Sequence, residues 1–215
     1  YKGEFVMKKI LAALLSAAVL GTTASAASVP SDWARDEIGT VYPDMFSSMQ
    51  VDVDYQRPIT RAEFCMIAFR VFSELNGGLP DIKADQPFSD VGADTIDMYI
   101  PLVYALGIVR GVSATEFNPR GQLTRQELCT IFGRLVTIVE PEAENYINSM
   151  SGAADKFADS ADIADWARNY VNCGVKLGII KGTSDTELSP LGTVSMEQAI
   201  AIANRITSLA AQFRK

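Results

Sequence analysis

Two arginines, Arg61 and Arg125, each follow a threonine that has a glutamate three residues further on, in Thr60-Arg61-Ala62-Glu63 and Thr124-Arg125-Gln126-Glu127. Thr-x-x-Glu is a capping box, so each arginine is the first residue inside a helix. A cation there opposes the helix macrodipole, at a cost of about 0.3–1 kcal/mol. Beside free helix-end N–H groups, however, a guanidinium can receive an anion through its bidentate fork. The competing reading is an ion pair with an acidic residue of a neighbouring segment. Trp33 and Trp166 add two indoles, which either stack on a sugar face or pack into a core. Arg110 lies between Gly107 and Gly111, and Lys181 between Gly178 and Gly182, as flexible second cations. Anion site, flat aromatic and basic arm together suit a carbohydrate that carries an acidic substituent.

Other chemistries are poorly supplied. The 215 residues contain no histidine, which removes Ser-His and Cys-His nucleophile activation and imidazole metal sites. Nothing in the sequence calls for a metal or another cofactor, and no catalytic residue is assigned. A hydrolase needs only two spaced carboxylates in principle, but the acidic residues fall mostly at caps and on solvated helix faces. An excess of 26 acidic over 19 basic residues argues against a nucleic-acid partner. Cys65, Cys129 and Cys173 are too few for a disulfide framework. They read as small buried apolar side chains, with a Cys65–Cys129 bridge as the alternative.

The elements that must position these residues come from a repeat. Shifted by 71 residues, 94–111 lies over 165–182 without a gap, and Phe117, Pro119 and Gly121 fall on Leu188, Pro190 and Gly192. Self-similarity at long period signals a repeat architecture. A more worn copy lies upstream, where Asp32-Trp33-Ala34-Arg35 echoes Asp165-Trp166-Ala167-Arg168 and Ile59 to Glu63 echoes Leu123 to Glu127. Between them, Pro43 to Pro58 lacks the Gly-x-x-x-Gly turn. The division expected is 27–80, 81–150 and 151–215, each copy a helix, a loop and a second helix.

Ser195 with Gln198 supplies the third capping box. Behind the first, Phe64, Ala68, Val71, Phe72 and Leu75 form one apolar helical stripe. Arg70, Arg134 and Arg205 stand ten residues past the three caps and read as structural ion pairs between copies. Gly107 and Gly178 close the first helices of copies two and three, the latter running from about Asp165 to Leu177. Gly111 and Gly182 permit the next turn. One such helix pair cannot bury its apolar face alone, so the copies must pack on one another. The class expected is all-α, a monomer with three copies around a pseudo-threefold axis.

The N-terminal residues read as an export signal over 7–26: Lys8 and Lys9, the apolar Ile10–Leu20, then Ala24-Ser25-Ala26. The apolar run is well short of the roughly 20 residues that span a bilayer. Residues 1–6 precede Met7, and Lys2-Gly3-Glu4 is encodable by a ribosome-binding sequence, so they read as untranslated leader. Without residues 1–26 the chain keeps 16 basic and 25 acidic residues, a net charge of −9, outside the membrane and without a membrane span.

Thr-Arg-Ala-Glu after a Phe/Leu-x-Pro loop, Gly-Ile-x-x-Gly before that loop and Asp-Trp-Ala before that together resemble the S-layer homology repeat, over essentially all of 27–215. The resemblance implies three repeats packed as a pseudo-trimer around a central three-helix bundle. It also implies inter-repeat grooves that bind secondary cell-wall polysaccharide, commonly bearing pyruvate ketals, or a peptidoglycan-linked glycan, without covalent attachment. The family's motif arginine contacts ligand, which carries onto Arg61 and Arg125. Copy three has Met196 in that place and copy two has Thr95 in place of the tryptophan, so one or two competent grooves are expected. The function expected is non-catalytic anchoring of a secreted protein at the cell wall. The alternative is a structural or protein-binding surface module that has lost the sugar site.

Overall fold

The computed structural model describes residues 29–38 and 54–213. The expected leader and export signal, and 43–53 of the worn turn, lie outside the described residues. Among those residues there are seven α-helices and no strand, so the protein is all-α. The helices are α1 (Asp32–Ile38), α2 (Arg61–Asn76), α3 (Tyr99–Ala105), α4 (Arg125–Val139), α5 (Ala143–Ser149), α6 (Asp165–Lys176) and α7 (Met196–Phe213). A single 3-10 turn, Ser160–Asp162, precedes α6. The short α5 has no side-chain cap and goes beyond the expected helix-loop-helix plan.

Local chemistry sets the helix ends. Thr60 accepts the Glu63 N–H while the Glu63 carboxylate accepts the Thr60 N–H at 2.9 Å. Thr124 and Glu127 repeat this at the head of α4, and Ser195 and Gln198 do so at the head of α7, at 3.3 Å each way. These bonds satisfy donors that a helix start otherwise leaves without partners. Gly107 and Gly178 follow the C-termini of α3 and α6 with φ of 79° and 70°, a left-handed turn that other residues rarely adopt.

The caps are also where the chain is joined to itself. Past Thr60, the N–H groups of Arg61 and Ala62 donate to the carbonyls of Gly121 and Pro119. Past Thr124, those of Arg125 and Gln126 donate to Gly192 and Pro190. Past Ser195, those of Met196 and Glu197 donate to Arg57 and Tyr55. Isolated bridges Thr60–Gln122, Thr124–Thr193 and Pro58–Ser195 accompany them. The first cap therefore binds the loop before the second, the second binds the loop before the third, and the third returns to the first.

Helix packing follows the same order. α3 lies on α2, α6 on α4, and α1 on α7, while α2 touches both α4 and α7. The expected stripe of Phe64, Ala68, Val71, Phe72 and Leu75 is buried, and Phe64 meets Phe132 of α4 edge-on at 5.0 Å. Side chains near the caps hang the first helices in place. Glu197 accepts the Ser31 N–H and hydroxyl at 2.9 Å, and Gln126 accepts the Ala164 N–H at 2.9 Å.

All three cysteines are free and buried, so the Cys65–Cys129 bridge is absent. Burial pushes the Cys129 thiol up to about 12 and the Cys65 thiol up as well, and such thiols are inert. A thiol reagent should accordingly label none of the three at neutral pH in the native protein, and all three in denaturant.

Glu63 links cap chemistry to pH. Burial pushes its carboxyl up, but hydrogen bonds from Arg57 and Thr60 outweigh burial and hold it below its ordinary 4.5. A depressed folded-state value means the stabilisation is present above the unfolded pKa and is lost as pH falls through the folded one. Glu63→Gln should lower stability at pH 7 by about 1–2 kcal/mol. In urea melts the gap from the parent should narrow as pH falls from about 4.5 towards 2.

Candidate functional site

Arg125 is buried at the head of α4, and its guanidinium reaches across the joint between segments. Its Nε donates to the Leu188 carbonyl at 2.8 Å and one terminal nitrogen to the Lys181 carbonyl at 2.6 Å. Burial first, and the charge of Arg205 after it, lower its pKa. Arg61 does the same one joint earlier. It donates to the Phe117 and Arg110 carbonyls at 2.9 Å each and lies 4.5 Å over the Phe117 ring.

This corrects one expectation. The helix-end donors are not free to receive an anion, because the first two N–H groups already bind the next loop and the third binds the capping side chain. Each arginine holds the loop that carries Arg110 or Lys181, and no acidic side chain is needed for it. That explains a cation where the macrodipole disfavours one: two carbonyls and tight packing offset a cost of about 0.3–1 kcal/mol.

The loops being held share one construction. Asp90 accepts the N–H groups of Phe117 and Asn118 at 2.9 and 2.7 Å, and Asp159 those of Leu188 and Ser189 at 2.9 and 2.6 Å. These bonds hold the left-handed backbone of Asn118 and Ser189, φ 59° and 54°. A Cβ on Gly182 would fall 2.3 Å from the Ser184 carbonyl oxygen and 2.7 Å from the Phe157 ring, and Gly111 is equally closed in, by Ser113 and Phe88. Close approach, not a left-handed turn, requires these two glycines. Asp90 and Asp159 are missing from the 71-residue comparison because they lie 69 residues apart, as do Phe88 and Phe157. A gapless shift loses them.

One groove gathers five of the expected residues. A cavity of about 390 Å³ is lined by Trp33 and Glu37 of α1, Arg125 of α4, Lys181 and Gly182, and Arg205 of α7. The Trp33 indole is 49% exposed, so it faces solvent and is not core. Arg205 grips Glu37 with two nitrogens, at 2.6 and 2.8 Å, and donates a third bond to the Ile179 carbonyl at 2.8 Å. Lys181 Nζ stands 3.3 Å from the same carboxylate. Burial alone would raise the Glu37 pKa, yet Arg205 and Lys181 hold it below its ordinary value.

The other expected residues fall elsewhere. Arg61, Arg110, Gly111, Arg134 and Trp166 are the same set one step round by register, with Trp166 53% exposed. Gly107 and Gly178 terminate helices and do not line the groove. Arg205 makes its inter-segment ion pair, but Arg70 is exposed and Arg134 half-buried, and neither has an ion pair among the described residues. The reason lies four residues beyond Trp33, Thr95 and Trp166, where the first helices carry Glu37, Tyr99 and Tyr170. Only the first offers a carboxylate. Met196 is fully buried and brings no cation to the third joint. A larger apolar cavity of about 650 Å³, walled by Phe132, Val136, Tyr170 and Ile206, holds none of the expected binding residues.

Comparison with known proteins settles the family. The S-layer homology domain model matches residues 87–129 and 156–200. These two segments are S-layer homology domains. Both matches begin at the Phe88 and Phe157 motifs, which flank Gly111 and Gly182. The surface-layer 125 kDa protein of Lysinibacillus sphaericus is 33% identical over 155 residues, 69% of this chain and 12% of that protein. The amylopullulanase of Thermoanaerobacterium thermosulfurigenes is 29% identical over 177 residues, 81% of this chain and 9% of the enzyme. Exoglucanase XynX of Acetivibrio thermocellus is 27% identical over 180 residues, 81% and 15% respectively. The chain thus spans about a tenth of the length of these curated relatives, and the enzymes match only through their S-layer homology region. The S-layer homology domain is an anchoring module. Among the described residues no helix is long and apolar enough to cross a membrane.

Arg125→Ala should destabilise the protein in urea by about 1.5–3 kcal/mol, the range for charged hydrogen bonds lost in a buried place. Arg125→Lys should recover little of it, because an ammonium lacks the fork that reaches both carbonyls.

Proposed function

We propose that the chain is a non-catalytic anchor, exported and held at the cell surface through cell-wall polysaccharide in grooves between its segments. The supporting observation is the groove in which an exposed indole, a loop cation and a buried arginine meet from three parts of the chain. An indole face suits the apolar side of a sugar ring, and basic arms not already engaged by a side-chain carboxylate suit an acidic substituent such as a pyruvate ketal. We read residues 27–80 as a third, diverged repeat, since its cap and pre-cap loop complete the cycle of backbone bonds. On that reading the arrangement is pseudo-threefold and monomeric. Two grooves qualify: the one at Trp33 and its counterpart at Arg61, Arg110 and Trp166.

Binding to purified sacculi tests the proposal. The full chain should pellet with untreated sacculi and stay in solution with sacculi stripped of polysaccharide by hydrofluoric acid. Trp33→Ala and Trp166→Ala should each weaken pelleting about tenfold, ~1.4 kcal/mol. Both should leave stability within about 0.5 kcal/mol, because the indoles are surface groups. Arg125→Ala is the poorer probe, since it also loosens the loop. A protein that remains in solution with untreated sacculi overturns the anchor reading and points to a protein partner.

A further inference from the structure

The Trp33 groove already holds an anion, and it is the chain's own. Three cations line it: Arg125, Arg205 and Lys181. Arg125 is committed to two carbonyls. The other two close on Glu37, Arg205 with a bidentate grip and Lys181 from the side. A bidentate arginine–carboxylate pair is the strong form of this contact. Asn204 also donates to the Glu37 backbone carbonyl, so the residue is pinned at its backbone as well as at its carboxylate.

We propose that Glu37 is a resident anion that sets the selectivity of this groove, which accepts neutral sugar and takes an acidic substituent only by displacing Glu37. The proposal rests on the reading of the groove as a glycan site. A tethered carboxylate competes at an effective concentration of millimolar or more, so an incoming carboxylate of similar chemistry is disfavoured. The counterpart groove lacks the device. Tyr170 stands at the position of Glu37 and packs against Gly133, where a Cβ would lie 2.1 Å from its ring. Arg134, the counterpart of Arg205, has no ion pair among the described residues. Acidic substituents thus belong to the Arg61–Trp166 groove and neutral sugar to the Trp33 groove.

Sodium pyruvate is the probe, titrated into the full chain and into Glu37→Gln at constant ionic strength with chloride as the balancing anion. The readouts are the NMR cross-peaks of the Arg205 Nε–H and the Trp33 indole N–H. Glu37→Gln should show saturable shifts in both at millimolar pyruvate, and the parent should need at least tenfold more. Equal half-saturation in the two proteins, or no saturable shift in the variant, overturns the proposal. If Glu37→Gln fails to fold, Glu37→Ala takes its place with the same expectation. A parent that pellets with sacculi beside a variant that gains no pyruvate affinity removes this inference alone. A variant that gains affinity while the parent ignores sacculi leaves the anion seat standing and removes the glycan reading.

Discussion

Just past Thr60, Thr124 and Ser195, two backbone N–H groups of each capped helix donate to two carbonyls of the loop that precedes the next cap. A helix start always leaves such donors without intrahelical partners, and burying them without partners would be costly. Here the chain meets that requirement with itself, three times, in an order that returns to its beginning. The helices are thereby fixed relative to one another by directional bonds as well as by the non-directional burial of Phe64, Phe132 and Ile200. The first helices then follow, because each lies on the capped helix of the preceding step.

The same constraint places the groove. A loop tied by its Pro and Gly carbonyls to a neighbouring helix start carries its basic residue to a fixed place. The arginine at that helix start reaches further along the same loop, to the Phe117 and Arg110 carbonyls or to those of Leu188 and Lys181. Asp90 and Asp159 brace the same loops through their N–H groups. The motif arginine therefore works as a fastener of the loop that it reaches. The first helices differ at residues outside the motif, Glu37 in one and Tyr170 in another, and on the proposed reading that is where selectivity enters.

Much of this was legible without coordinates. The capping boxes, the helix stops at Gly107 and Gly178, and the apolar stripe of α2 are local features. Their chemistry is complete within three or four residues, so spacing reveals them. The repeat exposed the pairing of Arg110 with Lys181 and of Arg61 with Arg125. It missed Asp90 and Asp159, which a two-residue difference in spacing moves out of register. It also gave Arg70, Arg134 and Arg205 one shared role, although among the described residues only Arg205 makes the ion pair.

By itself, the sequence determined the all-α class, the helix starts and stops, and the types of side chain available for binding, because these depend on neighbours along the chain. Tertiary structure decided what those residues meet. It placed backbone carbonyls on the arginines and helix-end donors, left Trp33 and Trp166 facing solvent, and set Glu37 against Arg205 across 168 residues. The physical reason is that a guanidinium donates to carbonyl, carboxylate or ligand oxygen with similar geometry. Its partner is chosen by whichever oxygen the fold brings within reach, and residue type alone carries no record of that choice.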